Sequence, residues 1–351
     1  MTKIKRKDRN IFEYHERLEK IHNNKSPMDK LNHMIDWEIF REILNEALAP
    51  KQPKGPGGAP HYDYVFMFKI LVIQRYYNLS DEQTEYRIND SISLQRFLGI
   101  TLSDNVPDHS KIWDFREKLI KTETIEKIFE KFDNILEKKG IVGKTGVIVD
   151  ASFVEVPKQR NNREENNEIK EGKTPEEWKN DSNKLSHKDL DARWTVKNKE
   201  KHYGYKNHTK VDIKSKIVRK YIVTSANVHD SQMIEGLLND KDKGKSLYAD
   251  SAYAGKPIKD IVEKKGVINR IHEKGYKGKP LTEKQKAKNK RKSRIRVRVE
   301  HVYGFVENSM NGSKIKTIGQ KRAKGLIGLM NIVYNFSRYY TIKSGIASYM
   351  A

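Results

Sequence analysis

The chain carries 70 Lys and Arg against 47 Asp and Glu over 351 residues, a formal net charge of +23. It has no cysteine, which excludes disulfides and thiolate-ligated zinc or iron–sulfur sites, while 17 Tyr, 11 Phe and 4 Trp suffice to anchor a core and exclude a wholly disordered chain. This length suits two domains, or one with insertions. The charge surplus points to a polyanionic partner, nucleic acid first. The basic opening MTKIKRKDRN is followed by no apolar segment, so no secretory signal is expected. The longest apolar run, inside Tyr62–Tyr77, is broken by Lys69, Gln74 and Arg75 and is too short and charged to span a bilayer. The expected setting is cytoplasmic, with no membrane partner.

Residues Pro27–Ala49 place Leu31, Met34, Ile35, Ile39, Ile43 and Leu44 near helical spacing. Pro50–Pro60 reads as a Pro/Gly linker. Tyr62–Asn78 is an apolar helix. Ser80 with Gln83 forms a capping box for a helix through about Ile88. A short helix follows over Ser91–Leu98. Asp108–Ser110 caps a helix carrying Ile112, Trp113, Phe115 and Leu119, and Ile125–Lys138 is amphipathic, with Gly140 as its stop. The first 140 residues are thus expected to be all-helical, as packed helices or as helix-turn-helix material that touches DNA.

The pattern then changes. Gly146–Val156 (GVIVDASFVEV) is a strand by its Val and Ile content. A charged, asparagine-rich insertion at about 157–201 is expected to be mobile or ordered only on DNA. His202–Asp212 and Ile217–Thr224 form an antiparallel pair around a turn at Lys214–Lys216. Helix is expected over Ser231–Leu238 and Gly255–Glu263, and short strands over Ser246–Ala249 and Gly266–Arg270. Two more helices cover Arg294–Asn311 and Ala323–Tyr340. The second part is therefore α/β.

Between Arg270 and Arg298 there are 13 Lys and Arg against Glu273 and Glu283 alone. This run is either a solvated loop or a grip for phosphates; the apolar helix and acid that follow it favour the grip. Three acids stand where phosphoryl chemistry would want them. Asp150 interrupts an apolar strand, where a carboxylate needs a partner or a metal. Asp250 ends the strand at Leu247–Ala249, and ligands gather outside strand C-termini in α/β sheets. Glu300 sits beside Val299 and Val302, just after the basic run. Each has a plainer reading: an ion pair or bulge for Asp150, a turn or helix cap for Asp250, an i,i+4 pair with Arg296 for Glu300. Taken together, carboxylates from three elements suit Mg2+, which prefers oxygen ligands. Two such ions stabilise both attacking and leaving oxygens in an in-line phosphoryl displacement.

In its motifs the chain resembles bacterial DDE transposases of insertion-sequence family five, over most of its length. The resemblance rests on HYDYVFMFKILVIQRYYNLSDEQTEYRINDSISLQRFLGI and PDHSKIWDFREKL in the helical part. In the second part it rests on VIVDASFVEVP, DARWTVKNKEKHYGYKNHTKVD, VTSANVHDSQ, LYADSAYAG and RVRVEHVYGFVEN. It implies an α/β ribonuclease-H-like catalytic core at 141–345, an all-α N-terminal domain at 1–140 that binds DNA, and a C-terminal helix. It assigns catalysis and metal binding to Asp150, Asp250 and Glu300, with two Mg2+ ions (Mn2+ as substitute). It places an Arg four residues before the Glu, here Arg296. The family's Tyr and Lys at the positions of Ser293 and Glu307 are replaced, with Lys314 or Lys316 as candidate substitutes for the lysine.

The expected DNA contacts are Arg291, Lys292, Arg294, Arg296 and Arg298, with Lys206 and Lys210 on the strand His202–Asp212. His229 is a candidate contact to the scissile phosphate, and Asp230 is the expected cap of the Ser231 helix. The histidines of His202–His208 are read as structural. The implied function is cleavage at terminal inverted repeats and transfer of the freed 3′-OH into target DNA, by a homodimer or larger synaptic complex, in a bacterial cytoplasm at the nucleoid. The alternatives are a metal-dependent nuclease of the same fold without strand transfer, and a domesticated DNA-binding protein. An RNA-binding protein is disfavoured because no aromatic recognition motif is present.

Overall fold

The computed structural model describes residues 12–49, 61–197 and 199–345. The Pro50–Pro60 linker lies outside the described residues. Among these residues six strands form one mixed sheet: β1 (Gly146–Glu155), β2 (Arg193–Lys197), β3 (Glu200–Asp212), β4 (Val218–Ser225), β5 (Ser246–Tyr248) and β6 (Ile268–Asn269). β3 lies antiparallel to β1 along one edge, while β2 and β4 share its other edge end to end. On the far side of β1, β5 and then β6 continue the sheet in parallel. β1 alternates: Ile148 and Val154 enter the larger core, Val147 and Val149 the smaller core on the opposite face. β3 is buried on both faces from Tyr203 to Asp212, because strands flank it and helices cover it.

Among the described residues eight helices precede the sheet: α1 (Glu13–Asn23), α2 (Pro27–Met34), α3 (Arg41–Leu48), α4 (Tyr64–Tyr76), α5 (Asp81–Asp90), α6 (Ile92–Leu98), α7 (His109–Lys121) and α8 (Thr124–Lys138). The Ser80–Gln83 capping box, the Asp108 cap and the left-handed Gly140 (φ 65°) are present as expected. The Pro27–Ala49 stretch is not one helix. Ile35 is extended and Asp36 caps a 3-10 turn over Trp37–Phe40 before α3 begins. The break turns Trp37 and Phe40 into the core, where both meet Phe336, at ring separations of 5.5 and 5.9 Å.

The insertion is built rather than loose. It contains α9 (Arg163–Lys170), α10 (Glu176–Lys179) and α11 (Ser182–Ser186), and β2 was not anticipated. Trp178 is fully buried and its Nε1 donates to Glu165 at 2.7 Å. Asp189 ties the insertion to the sheet by accepting from the Tyr205 hydroxyl at 2.8 Å. Satisfying the indole and packing it gave this polar stretch a small core of its own.

Helices α12 (Ile234–Leu237) and α13 (Lys256–Lys264) cover one face of the sheet. Next come α14 (Glu283–Arg296), a 3-10 turn at 297–299, α15 (Glu300–Gly304) and a π-helical stretch at 305–309. The basic run is therefore mostly helix: it starts at a Thr282–Gln285 capping box, eleven residues before the expected Arg294 start, and changes register at Val297–Val299. Finally α16 (Gln320–Lys343) runs buried between the sheet and the N-terminal helices. Gly325 and Gly328 let it approach Ile120, Ile125 and Tyr221 closely. Asn335 bonds both the N–H and the C=O of Val218, at 2.9 and 2.8 Å, which fixes α16 to the start of β4.

Candidate active site

β1 and β5 pair Gly146 with Ser246 and Ile148 with Tyr248, and Asp150 and Asp250 each stand two residues beyond that last pair. Parallel neighbours are about 4.8 Å apart, so Asp250, just past the end of β5, follows the chain out of the pairing beside Asp150, and its charge acts on Asp150. Asp150 is 7% exposed. Its Oδ1 accepts from the Ala151 N–H at 2.9 Å. Asp250 is half-buried and its Oδ1 accepts from the Ala252 N–H at 2.8 Å, capping the 3-10 turn at Ser251–Tyr253. Its expected turn role and its place beside Asp150 therefore coexist. Glu300 opens α15 and is exposed.

Arg296 joins the group. Its Nη1 donates to Asp150 Oδ2 at 2.8 Å and lies 3.8 Å from Glu300 Oε1, so the two carboxylates face each other across one guanidinium nitrogen. Burial pushes Asp150 up to about 6, and the nearby Asp250 and Glu300 charges push the same way; the Ala151 N–H and Arg296 oppose them. The donor set is all oxygen, which fits a hard divalent ion, and a cation already stands between two of the acids. Among the described residues no group of three or more His, Cys, Asp or Glu is placed to hold a metal ion. The donor chemistry fits; with Arg296 in place the group stays open.

Three side chains around these acids escaped the sequence reading. Tyr253 is fully buried, its hydroxyl has no hydrogen-bond partner, and burial together with Asp150, Asp230 and Asp250 raises its pKa well above the ordinary tyrosine value. The Tyr303 hydroxyl shares a 2.9 Å hydrogen bond with Thr209, which pairs with Asp150 across β1 and β3. His272 is held below its usual range by burial and by Arg296 and Lys292. Tyr253 and Tyr303 lie inside LYADSAYAG and RVEHVYG, so nearness to the acids in sequence was the available signal.

The basic residues divide. Arg291, Arg294 and Arg298 are exposed on or just after α14, and Lys292 is half-buried with its Nζ on the Ile271 carbonyl at 2.7 Å. Lys206 and Lys210 are not displayed for phosphate. Lys206 bonds Asp230 at 2.8 Å and the Val228 carbonyl at 2.7 Å. Lys210 is 2% exposed and bonds Asp242 at 2.5 Å. Both are inward-facing because β3 is covered on both faces. The cap assignment also changes: His229 accepts from the Ser231 N–H, and Asp230 serves Lys206 instead. His208 is fully buried against Thr224, and burial pulls it down to about 4. Among the described residues no helix is long and apolar enough to cross a membrane.

Residues 142–336, more than half of the chain, match the family described as transposase DDE domain. Residues 15–118 match the transposase domain family DUF772. The chain is also similar to one in the cryo-EM structure of a piggyBac transposase synaptic complex with hairpin DNA. That likeness has 12% identity and a TM-score of 0.49, over 93% of this chain and 77% of the other. With four strands joined antiparallel, two more added in parallel and helices on both faces, the sheet is the ribonuclease-H-like core of a chain that belongs to the transposase DDE domain family and acts as a DNA transposase.

Proposed function

We propose that this chain is a bacterial insertion-sequence transposase of family five that cleaves DNA at terminal inverted repeats and joins the freed 3′-OH to target DNA. Asp150, Asp250 and Glu300 are its catalytic carboxylates. The observation that supports this best is the meeting of Asp150 and Glu300 on one nitrogen of Arg296, with Asp250 just past the end of the neighbouring strand and close enough for its charge to act on Asp150. Two Mg2+ ions, with Mn2+ as substitute, supply charge neutralisation and Lewis-acid activation at the attacked phosphodiester when bound.

The chain's own residues do the rest. In the metal-free chain burial favours the protonated form of Asp150, pushing it up to about 6. Arg296 offsets part of the charge of Asp150 and Glu300 in the free protein. Arg291, Lys292, Arg294 and Arg298 hold DNA phosphates along α14 and the turn after it. Direct transesterification by the 3′-OH needs no covalent enzyme intermediate, so no side-chain nucleophile is required. Joining two element ends calls for a dimer or larger synaptic complex.

A mini-transposon carrying the element's inverted repeats tests the reading. Mg2+-dependent cleavage and joined product are expected from the wild type. Asp150→Asn, Asp250→Asn and Glu300→Gln should each lose both while remaining folded. Undiminished cleavage by any of the three removes that residue from the site. Cleavage without joined product supports the nuclease alternative.

A further inference from the structure

A cleft of about 780 Å3 lies between α4, α5 and α7, the insertion and the segment before α16. Val156 lines it, six residues beyond Asp150 on an extended strand, which puts it about 20 Å from the carboxylates at about 3.3 Å per residue. Its acids are already engaged. Asp81 is held by Arg116 through both oxygens, Glu117 accepts from Arg322 at 2.9 Å, and Asp189 accepts from Tyr205 at 2.8 Å and from the Gly319 N–H at 3.0 Å.

Not all of its cations are spent on them, although Arg116, Arg322, Lys188 and Lys314 are bonded and the Lys158 Nζ lies 5.6 Å from the Trp194 ring. Lys158, Arg160 and Lys316 line the cleft, are exposed, and form no ion pair among the described residues. Arg75 also lines it, is 6% exposed, and has a buried Nε with no hydrogen-bond partner. A buried guanidinium N–H left unpaired is costly, and a phosphate oxygen would relieve it. The same wall carries Trp113, 45% exposed although it is a large apolar ring.

Free cations select a polyanion, and an exposed indole selects a base with an open face. An unpaired strand offers both; a duplex hides its base faces in the stack. We propose that this cleft is a second DNA site, which holds an unpaired strand with phosphates on Arg75, Lys158, Arg160 and Lys316 and a base stacked on Trp113. The site needs no metal and goes beyond the reading of the carboxylates.

The test is anisotropy of a labelled oligo-dT of about ten nucleotides with the full chain in EDTA, against a duplex of the same length. The single strand should bind more tightly. Trp113→Ala should weaken it about tenfold, and Trp113→Phe should restore most of the loss. The triple variant Lys158→Ala, Arg160→Ala, Lys316→Ala should flatten the dependence of log K on log salt by about 2. Thermal melting checks that each variant is folded. Asp150→Asn should bind the strand like wild type while losing cleavage, which separates this proposal from the catalytic assignment. The proposal is overturned if the folded Trp113→Ala or triple variant stays within twofold of wild type, if duplex binds equally well, or if Asp150→Asn weakens strand binding to the same extent.

Discussion

Arg296 donates from Nη1 to the Asp150 carboxylate across 2.8 Å, although the two residues are 146 positions apart. The same nitrogen is 3.8 Å from Glu300, so a fixed positive charge stands where divalent ions must compete. Arg296→Ala should therefore raise the affinity of DNA-free protein for Mn2+ by about tenfold, the size of one screened charge interaction at partly buried range. Titration calorimetry reads this directly. Unchanged affinity means the guanidinium does not compete with the ions.

Asp150 gives a pH signature. Its ordinary value is about 3.9 when the chain is unfolded, and burial lifts it to about 6 in the fold. Between these values the folded protein holds a proton that the unfolded chain has released. Stability from this group is therefore greatest below pH 4, falls as pH rises from about 4 to about 6, and stays reduced above that. Asp150→Asn should stabilise the metal-free protein at pH 8 by about 1–3 kcal/mol and have little effect at pH 4, measured by urea unfolding. Metal-dependent cleavage runs the other way and should fall as pH drops below about 6, where the carboxyl protonates.

Lys210 and Asp242 form an ion pair whose side chains are only 2% and 3% exposed. Removing Lys210 leaves the buried Asp242 with only the more distant Lys245, at 3.9 Å, and the Asn239 N–H, at 3.0 Å. Lys210→Ala should cost about 3–5 kcal/mol in chemical denaturation, whereas Lys210→Met with Asp242→Leu should come close to wild type. If the single variant is as stable as the double, the pair is more solvated than its burial implies.

Trp178 is the anchor of the insertion. Trp178→Ala should remove about 3–5 kcal/mol of local packing and leave Glu165 without its 2.7 Å indole donor. Limited proteolysis should then cut first within 157–192, while circular dichroism retains the signal of the sheet and of α16. Proteolysis at the wild-type rate means the insertion is held by other contacts.

Local chemistry was legible wherever it was self-contained. The Ser80–Gln83 box, the Asp108 cap, the Gly140 stop and the valine-rich β1 need only their near neighbours, and each is where the sequence puts it. Pro27–Ala49 misled because its apolar spacing continues through a break that Asp36 makes with its own cap. The basic run misled in the opposite sense. Its helix α14 has no buried residue, so it lacks the apolar stripe that marks a helix, although the Thr282–Gln285 box was there to be read.

The sequence alone determined the element types, the order of helices before sheet, the excess of positive charge, and the three acids at a strand interior, a strand end and a helix start. The tertiary structure decided which cations remain free. Lys206 and Lys210 look like phosphate ligands in sequence, yet β3 is covered on both faces and each must pair inward with Asp230 or Asp242. Arg296 likewise turns to Asp150 rather than to solvent. Side-chain alternation states which residues share a face of a strand. What covers that face is set by segments far along the chain, and the cost of burying an unpaired charge then selects the partner.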